Sequence, residues 1–255
     1  MFDAHAHLQD NKLINDLPEH IRRAKAAGVD GIVCCGCEEG DWPLVERIRN
    51  DYPGYVAASF GLHPYYIRKR SDDWLTLLER QLLAGPSAVG EFGLDFAIEQ
   101  VDEKDQREVF IAQLKLAKNL SRPVSIHCRR AWRALEEVLN LLGPIPAGGL
   151  VHSFSGTPEM AAMVCRANLS VSFSGSLTRP KNKKTHRALL AVPRERLLFE
   201  TDSPDLMPAG HTGQTNVPAN LSEVVAFAAE LLELPVEQVE RISDDNTLRI
   251  FGDCF

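Results

Sequence analysis

Two histidines separated by one residue, His5-Ala6-His7, stand at the start of the sequence. In an extended strand, side chains two positions apart face the same side, so both imidazoles can reach one cation. Four more residues carry groups that bind divalent metals: Glu91, His127, His152 and Asp202. Singly, each has an ordinary reading as a rim carboxylate, a satisfied core histidine or a turn cap. Gathered at one place, four imidazoles and two carboxylates would be costly without a cation to pair with. Six ligands are too many for one tetrahedral ion with an open position, and they suit two divalent ions sharing a bridging carboxylate. Glu91 is the natural bridge. The expected division is His5, His7, Glu91 and Asp202 around one ion, with Glu91, His127 and His152 around the other. Such a pair generates hydroxide at neutral pH and clamps the attacked and leaving oxygens. Asp202 is then placed to orient that hydroxide or take its proton. These ligand types fit Zn2+, Mn2+, Ni2+ or Co2+, and the carboxylates also accept Mg2+.

The charge at such a centre bears on the substrate. Two divalent ions outweigh Glu91, Asp202 and a bridging hydroxide, so an anionic phosphoester suits the site better than a neutral amide. His63 and Arg129 are the candidates for contact with a phosphate oxygen at the rim. An amidase, lactonase or esterase on the same metals is the alternative, because activated water also attacks carbonyls. A barrel that keeps metals without turnover is a third reading, and the complete ligand set argues against it. His20, His186 and His211 read as helix or loop surface positions.

Bringing together ligands spread over most of the chain is a task for a parallel barrel. Short apolar, β-branched runs alternate with amphipathic segments, which predicts βα units closed into a (β/α)8 TIM barrel of the α/β class, as one catalytic domain over residues 1–255. Strands are expected near Met1–His5, Gly31–Cys35, Tyr55–Gly61, Ala88–Phe92, Val124–Cys128, Gly149–Ser153, Leu169–Gly175 and Leu197–Thr201. All six ligands then fall at or just beyond strand C-termini, the face on which barrels build active sites. Helices are expected over Glu103–Leu120, 219–232 and from about Pro235 to Phe251. The connections Leu94–Asp102 and Ser203–Ala219 are long for a barrel and are expected to carry substrate contacts.

Composition narrows the class further. A hydrophobic fraction of 44% and a charged fraction of 25% are those of an ordinary globular protein. The balance of 28 basic and 35 acidic residues, a formal −7, excludes gripping polyanions by bulk charge, so any nucleic-acid contact must be local. No basic patch with interleaved aromatics of the kind that tracks a single strand stands out. Neither a leader peptide nor an apolar run of membrane-spanning length is visible, so the expectation is a cytoplasmic protein without membrane or obligate protein partners, monomeric by default. The six cysteines, three of them crowded at Cys34, Cys35 and Cys37, lack zinc-site spacing and read as buried reduced thiols.

Seven stretches, spread nearly end to end, carry a family resemblance: Phe2-Asp3-Ala4-His5-Ala6-His7-Leu8, Gly61-Leu62-His63-Pro64, Gly90-Glu91-Phe92-Gly93-Leu94-Asp95, Pro123-Val124-Ser125-Ile126-His127, Val151-His152-Ser153-Phe154-Ser155-Gly156, Glu200-Thr201-Asp202-Ser203-Pro204 and Asn246-Thr247-Leu248-Arg249-Ile250-Phe251. Together they resemble the TatD family of metal-dependent hydrolases among the amidohydrolase-like barrels. The resemblance implies a two-metal barrel with His5, His7, Glu91, His127, His152 and Asp202 as ligands, His63 and Arg129 toward substrate, and deoxyribonuclease activity, in some members exonucleolytic from 3′ ends. Glutamate at position 91 favours this branch over relatives with a carboxylated lysine. In the stretch Gly213-Gln214-Thr215-Asn216-Val217-Pro218 the chain departs from the family, where many members place an arginine just before the matching asparagine.

Overall fold

The computed structural model describes residues 1–255 except Val101, Thr212 and Gln214. Eight parallel strands follow one another in sequence order: β1 (Phe2–Ala6), β2 (Gly31–Cys35), β3 (Val56–Phe60), β4 (Ala88–Asp95), β5 (Val124–Arg129), β6 (Gly149–Val151), β7 (Ser170–Phe173) and β8 (Leu197–Phe199). Helices fill the connections: α1 (Leu17–Ala26), α2 (Trp42–Asp51), α3 (Trp74–Leu83), α4 (Glu103–Asn119), α5 (Trp132–Leu142), α6 (Pro158–Arg166), α7 (Lys183–Ala191), α8 (Leu221–Leu232) and a final α9 (Val236–Phe251). This is the (β/α)8 barrel that the alternation of elements predicts. No helix among the described residues is long and apolar enough to cross a membrane.

The ring closes between β8 and β1 through buried side chains as well as backbone. The Asp3 carboxylate accepts from the Thr201 N–H at 2.8 Å and the Thr201 hydroxyl at 2.6 Å. Beyond the strands, Asp202 N–H donates to His5 O (3.0 Å) and His7 N–H to Ser203 O (2.8 Å). Closure therefore sets His5, His7 and Asp202 side by side.

Strand alternation divides the apolar residues. On β2, Ile32 and Cys34 pack outward against the helices, whereas Val33 and Cys35 face the barrel interior with Ala4, Ala57, Ala88, Leu150 and Leu198. Phe251 and Cys254, at the end of the chain, join that interior cluster. Each buried Leu or Phe of these layers contributes about 1.5–3 kcal/mol of transfer free energy, which holds the strand ends in register beneath the site.

Several strands differ in length from the sequence expectation. β6 and β8 stop at Val151 and Phe199, because Ser153 and Asp202 adopt positive φ (41° and 55°) that takes the chain out of the ladder at the mouth. β4 runs on to Asp95, so Glu91 lies within it rather than at its end. Register slips by one residue between Val89 and Phe92 on β4 and between Asp3 and Ala6 on β1. Bulges of this kind re-aim side chains, and here they fall at Glu91 and His5. Gly93, two residues after Glu91, has φ +157°, and a Cβ there would meet His127 O at 2.0 Å. Only glycine lets β4 approach β5 so closely.

Candidate metal centre

The six predicted ligand side chains meet at the C-terminal mouth of the barrel. Nε2 of His5 and Nε2 of His7 lie 3.2 Å apart. Glu91 Oε2 is 3.4 Å from the first and 3.3 Å from the second, and Asp202 Oδ1 is 3.8 Å and 3.5 Å from the same two atoms. A second group forms on the other oxygen of Glu91: Oε1 is 2.9 Å from His127 Nδ1 and 2.8 Å from His152 Nε2, which are 3.0 Å from each other. Ligand atoms about 2.1 Å from a tetrahedral cation lie roughly 3.4 Å apart, so both groups have the spacing of a coordination shell.

The far sides of the rings say which nitrogens carry protons. His7 donates from Nδ1 to the carbonyl of Cys35 (2.8 Å), and His127 donates from Nε2 to Asp95 Oδ2 (3.2 Å). His5 Nδ1 bonds Ser125 Oγ at 2.8 Å. His152 turns Nδ1 toward Glu200 Oε1, 3.4 Å away, leaving Nδ1 and Glu200 Oε2 buried without a hydrogen-bond partner. His5, His7 and His127 thus engage a partner behind the ring, and all four rings aim the other nitrogen at the centre, the arrangement that acceptors behind metal-binding histidines impose. Lone pairs facing one another at 3.0–3.2 Å call for a positive charge between them. The residues present fit divalent cations.

His63 is turned the opposite way. Its Nδ1 accepts from Tyr65 N–H (3.1 Å), so the neutral ring carries its proton on Nε2, 3.4 Å from Glu91 Oε1. Burial pulls its pKa down to about 4, against the pull of Glu91, so it is neutral at physiological pH. The sequence places it at the rim; in the fold it lies against the centre as a hydrogen-bond donor. Arg129 extends into solvent at the end of β5, its Nη1 3.1 Å from the Tyr65 hydroxyl and 3.8 Å from Asp95 Oδ2.

Electrostatics around Glu91 favour its charged form. Burial alone would raise its pKa, but His152, His63 and His127 hold it well below the usual carboxylate range. Asp202 is likewise lowered against burial by His7, His152 and His5. Burial pulls His152 down, yet Glu91, Glu200 and Asp202 raise it well above its ordinary value; His7 is raised by Cys37, Asp202 and Glu91, and His127 by Asp95 and Glu91. At these three rings the neighbours outweigh burial, whereas burial keeps His5 below its ordinary value.

Sequence reasoning left out the supporting groups Asp95, Glu200 and Ser125, although all three lie within the motifs quoted above. It also grouped three cysteines that the fold separates. Cys34 faces the helices, Cys35 the barrel interior, and Cys37 is only partly buried, its Sγ 3.6 Å from His7 Nδ1 and 3.8 Å from Glu91 Oε2. His186 is buried rather than on the surface, bonded through Nε2 to Leu177 O at 2.9 Å. His20 is half-buried, and His211 is exposed and paired with Glu223 at 2.6 Å. In the departing loop, Gln214 lies outside the described residues, and Asn216 is buried, donating to Thr201 O and Asp205 O.

The centre opens into a cleft of about 1160 Å3 lined by, among others, Tyr65, Tyr66, Arg129, Ser153, Lys181 and Asp205. Room of that size admits far more than an isolated phosphate group.

Comparison with known proteins agrees with this architecture. The chain is 33% identical over 252 residues to the metal-dependent hydrolase YabD of Bacillus subtilis, with 98% of each chain covered. It is 31% identical over 258 residues to the 3′-5′ ssDNA/RNA exonuclease TatD of Erwinia billingiae, again covering 98% of each. The crystal structure of the TatD homologue YjjV from Escherichia coli superposes with a TM-score of 0.94 at 31% identity, over 99% of this chain and 98% of that one. The family described as TatD related DNase matches residues 2–252. The chain belongs to the TatD family of metal-dependent hydrolases.

Proposed function

We propose that the protein is a two-metal phosphodiesterase acting on the 3′ ends of single-stranded nucleic acid. His5, His7, Glu91 and Asp202 hold one divalent cation; Glu91, His127 and His152 hold the other. The observation that carries this reading is the division of Glu91, one oxygen toward each pair of imidazole lone pairs. Bound there, the cations supply Lewis acidity and a water acidified to near neutral pKa. The chain's own residues do the rest. Asp202, at the edge of the cluster and held ionised, takes the proton from the attacking water. His63 donates from Nε2 to a phosphate oxygen, and Arg129 offers its guanidinium to the same group from the rim. Relatives named as ssDNA/RNA exonucleases, at 31% identity over nearly the whole chain, support the substrate class. Six unpaired thiols suit a reducing compartment, in keeping with a cytoplasmic enzyme.

The test is hydrolysis of a 3′-labelled single-stranded oligonucleotide by metal-stripped protein resupplied with Mg2+, Mn2+ or Zn2+, with Glu91→Ala as control. Metal-dependent shortening that the variant loses is the expected result. Inactivity on oligonucleotides and simple phosphodiesters, combined with turnover of lactones or acyl esters, would instead assign the centre to carbonyl hydrolysis.

A further inference from the structure

The stretch from α6 through α7 is basic. Between Glu159 and Glu195 the chain has no acid but seven arginines and lysines, in a protein whose formal charge is −7. Four of these, Arg179, Lys181, Lys183 and Lys184, lie exposed on the connection from β7 to α7 and in the first turn of α7. None takes part in an ion pair among the described residues. Their position works against the helix, since the N-terminus of α7 already carries partial positive charge and its first turn has no acid. Cations placed at a cost, without an internal partner, point to an external anion.

The geometry of the cleft says where that anion runs. Lys181 and Lys184 line the same cleft as Glu91 and Asp202, and Ser153, Ser155, Ser176 and Asn182 line it too. The same cleft also carries Asp10, Glu38 and Asp41, from the connections after β1 and β2, and Asp205, from the connection after β8. A chain of phosphates reaching the centre is attracted toward the lysines and away from these acids. Tyr65, 52% exposed beside Arg129, presents an aromatic face at the same mouth. Basic side chains and an exposed ring lining one cleft are the elements that bind single strands, and the fold brings them there from segments over 100 residues apart in the sequence.

We propose that the β7–α7 connection is the track for the phosphates flanking the scissile one, with Lys181 and Lys184 as its contacts. This rests on the phosphodiesterase reading above and adds the direction from which the strand enters. The track confers affinity through phosphates and is indifferent to base sequence.

The test separates binding from chemistry. Affinity for a 5′-fluorescein oligothymidylate is measured by anisotropy in EDTA over a range of salt, for wild type, Lys181→Ala/Lys184→Ala and Lys183→Ala, whose side chain is outside the cleft lining. Loss of two phosphate contacts on a single strand lowers the slope of log K against log salt by about 1.4 in the double variant. Lys183→Ala changes the slope less than half as much. In parallel, the ratio of kcat/KM on the oligonucleotide to that on bis(p-nitrophenyl) phosphate falls about tenfold in the double variant. An unchanged slope, an equal effect of Lys183→Ala, or no oligonucleotide binding by wild type overturns the track. If wild type binds the oligonucleotide as described yet cleaves neither substrate, the track stands and the phosphodiesterase reading falls.

Discussion

Oε1 of Glu91 lies 2.8 Å from Nε2 of His152, while the other oxygen of the same carboxylate faces His5 and His7. One side chain therefore serves both halves of the centre. Glu91→Ala is expected to lower bound metal from two ions per chain to less than one and to reduce turnover by more than about a hundredfold, beyond what loss of a supporting group costs. Metal analysis of the purified variant beside its kinetics checks both. A variant that retains two ions would show that Glu91 is not the bridge.

Asp95 stands behind His127 as an acceptor and, among the described residues, bonds to no other candidate ligand. Asp95→Asn, which keeps the bond from Ala97 N–H within reach, is expected to weaken one of the two cations by about 10–100-fold and leave the other near its wild-type affinity. Competition against a chromophoric chelator resolves the two sites. Equal weakening of both would mean that Asp95 acts on the fold rather than on His127.

Metal affinity should fall with acidity. His7, His127 and His152 have pKa values raised by the surrounding anions, so on acidification they take up protons earlier than free imidazoles do. A cation must displace those protons, and its apparent affinity drops at least about tenfold per pH unit between about pH 8 and about pH 6. Calorimetry in buffers of different ionisation heat should record proton release on binding. Affinity that is flat across this range would contradict the ligand set.

Gly93 tests the bulged stretch of β4. With φ at +157°, and with only 2.0 Å between His127 O and the place a methyl group would take, the site leaves no room for alanine without parting β4 from β5. Gly93→Ala should cost about 3 kcal/mol or more, seen as a fall in Tm of roughly 6–10 °C, together with weaker metal binding at His127. An unperturbed Tm would mean that the strands yield more easily than their packing suggests.

The barrel was legible in the sequence because parallel strands buried on both faces read as apolar runs, and eight such runs alternate with helical patterns. The ligands were legible because histidines and acids beside strand ends share one mouth. What stayed hidden depends on contacts that cross the chain. Asp95 reads as a loop residue because Gly93-Leu94-Asp95 has no β-branched side chain, yet β4 continues through it. Glu200 comes behind His152 through a contact across the chain, its Oε1 accepting from Ser153 N–H. His186 sits in a helix whose neighbours are polar, and nothing local announces its bond to Leu177. The basic run is hidden because the net charge averages it away, and the aromatic it accompanies comes from the segment after β3.

The pairing of Asp3 with Thr201, 198 positions away, also sets an order of events. A nascent chain carries His5 from the outset but has no Asp202 to set beside it until the last strand of the ring has been made. Until then the first strand has an open edge and the cluster at the mouth is incomplete. A chain cut short before β8 lacks the Asp202 carboxylate and the contacts that close the ring.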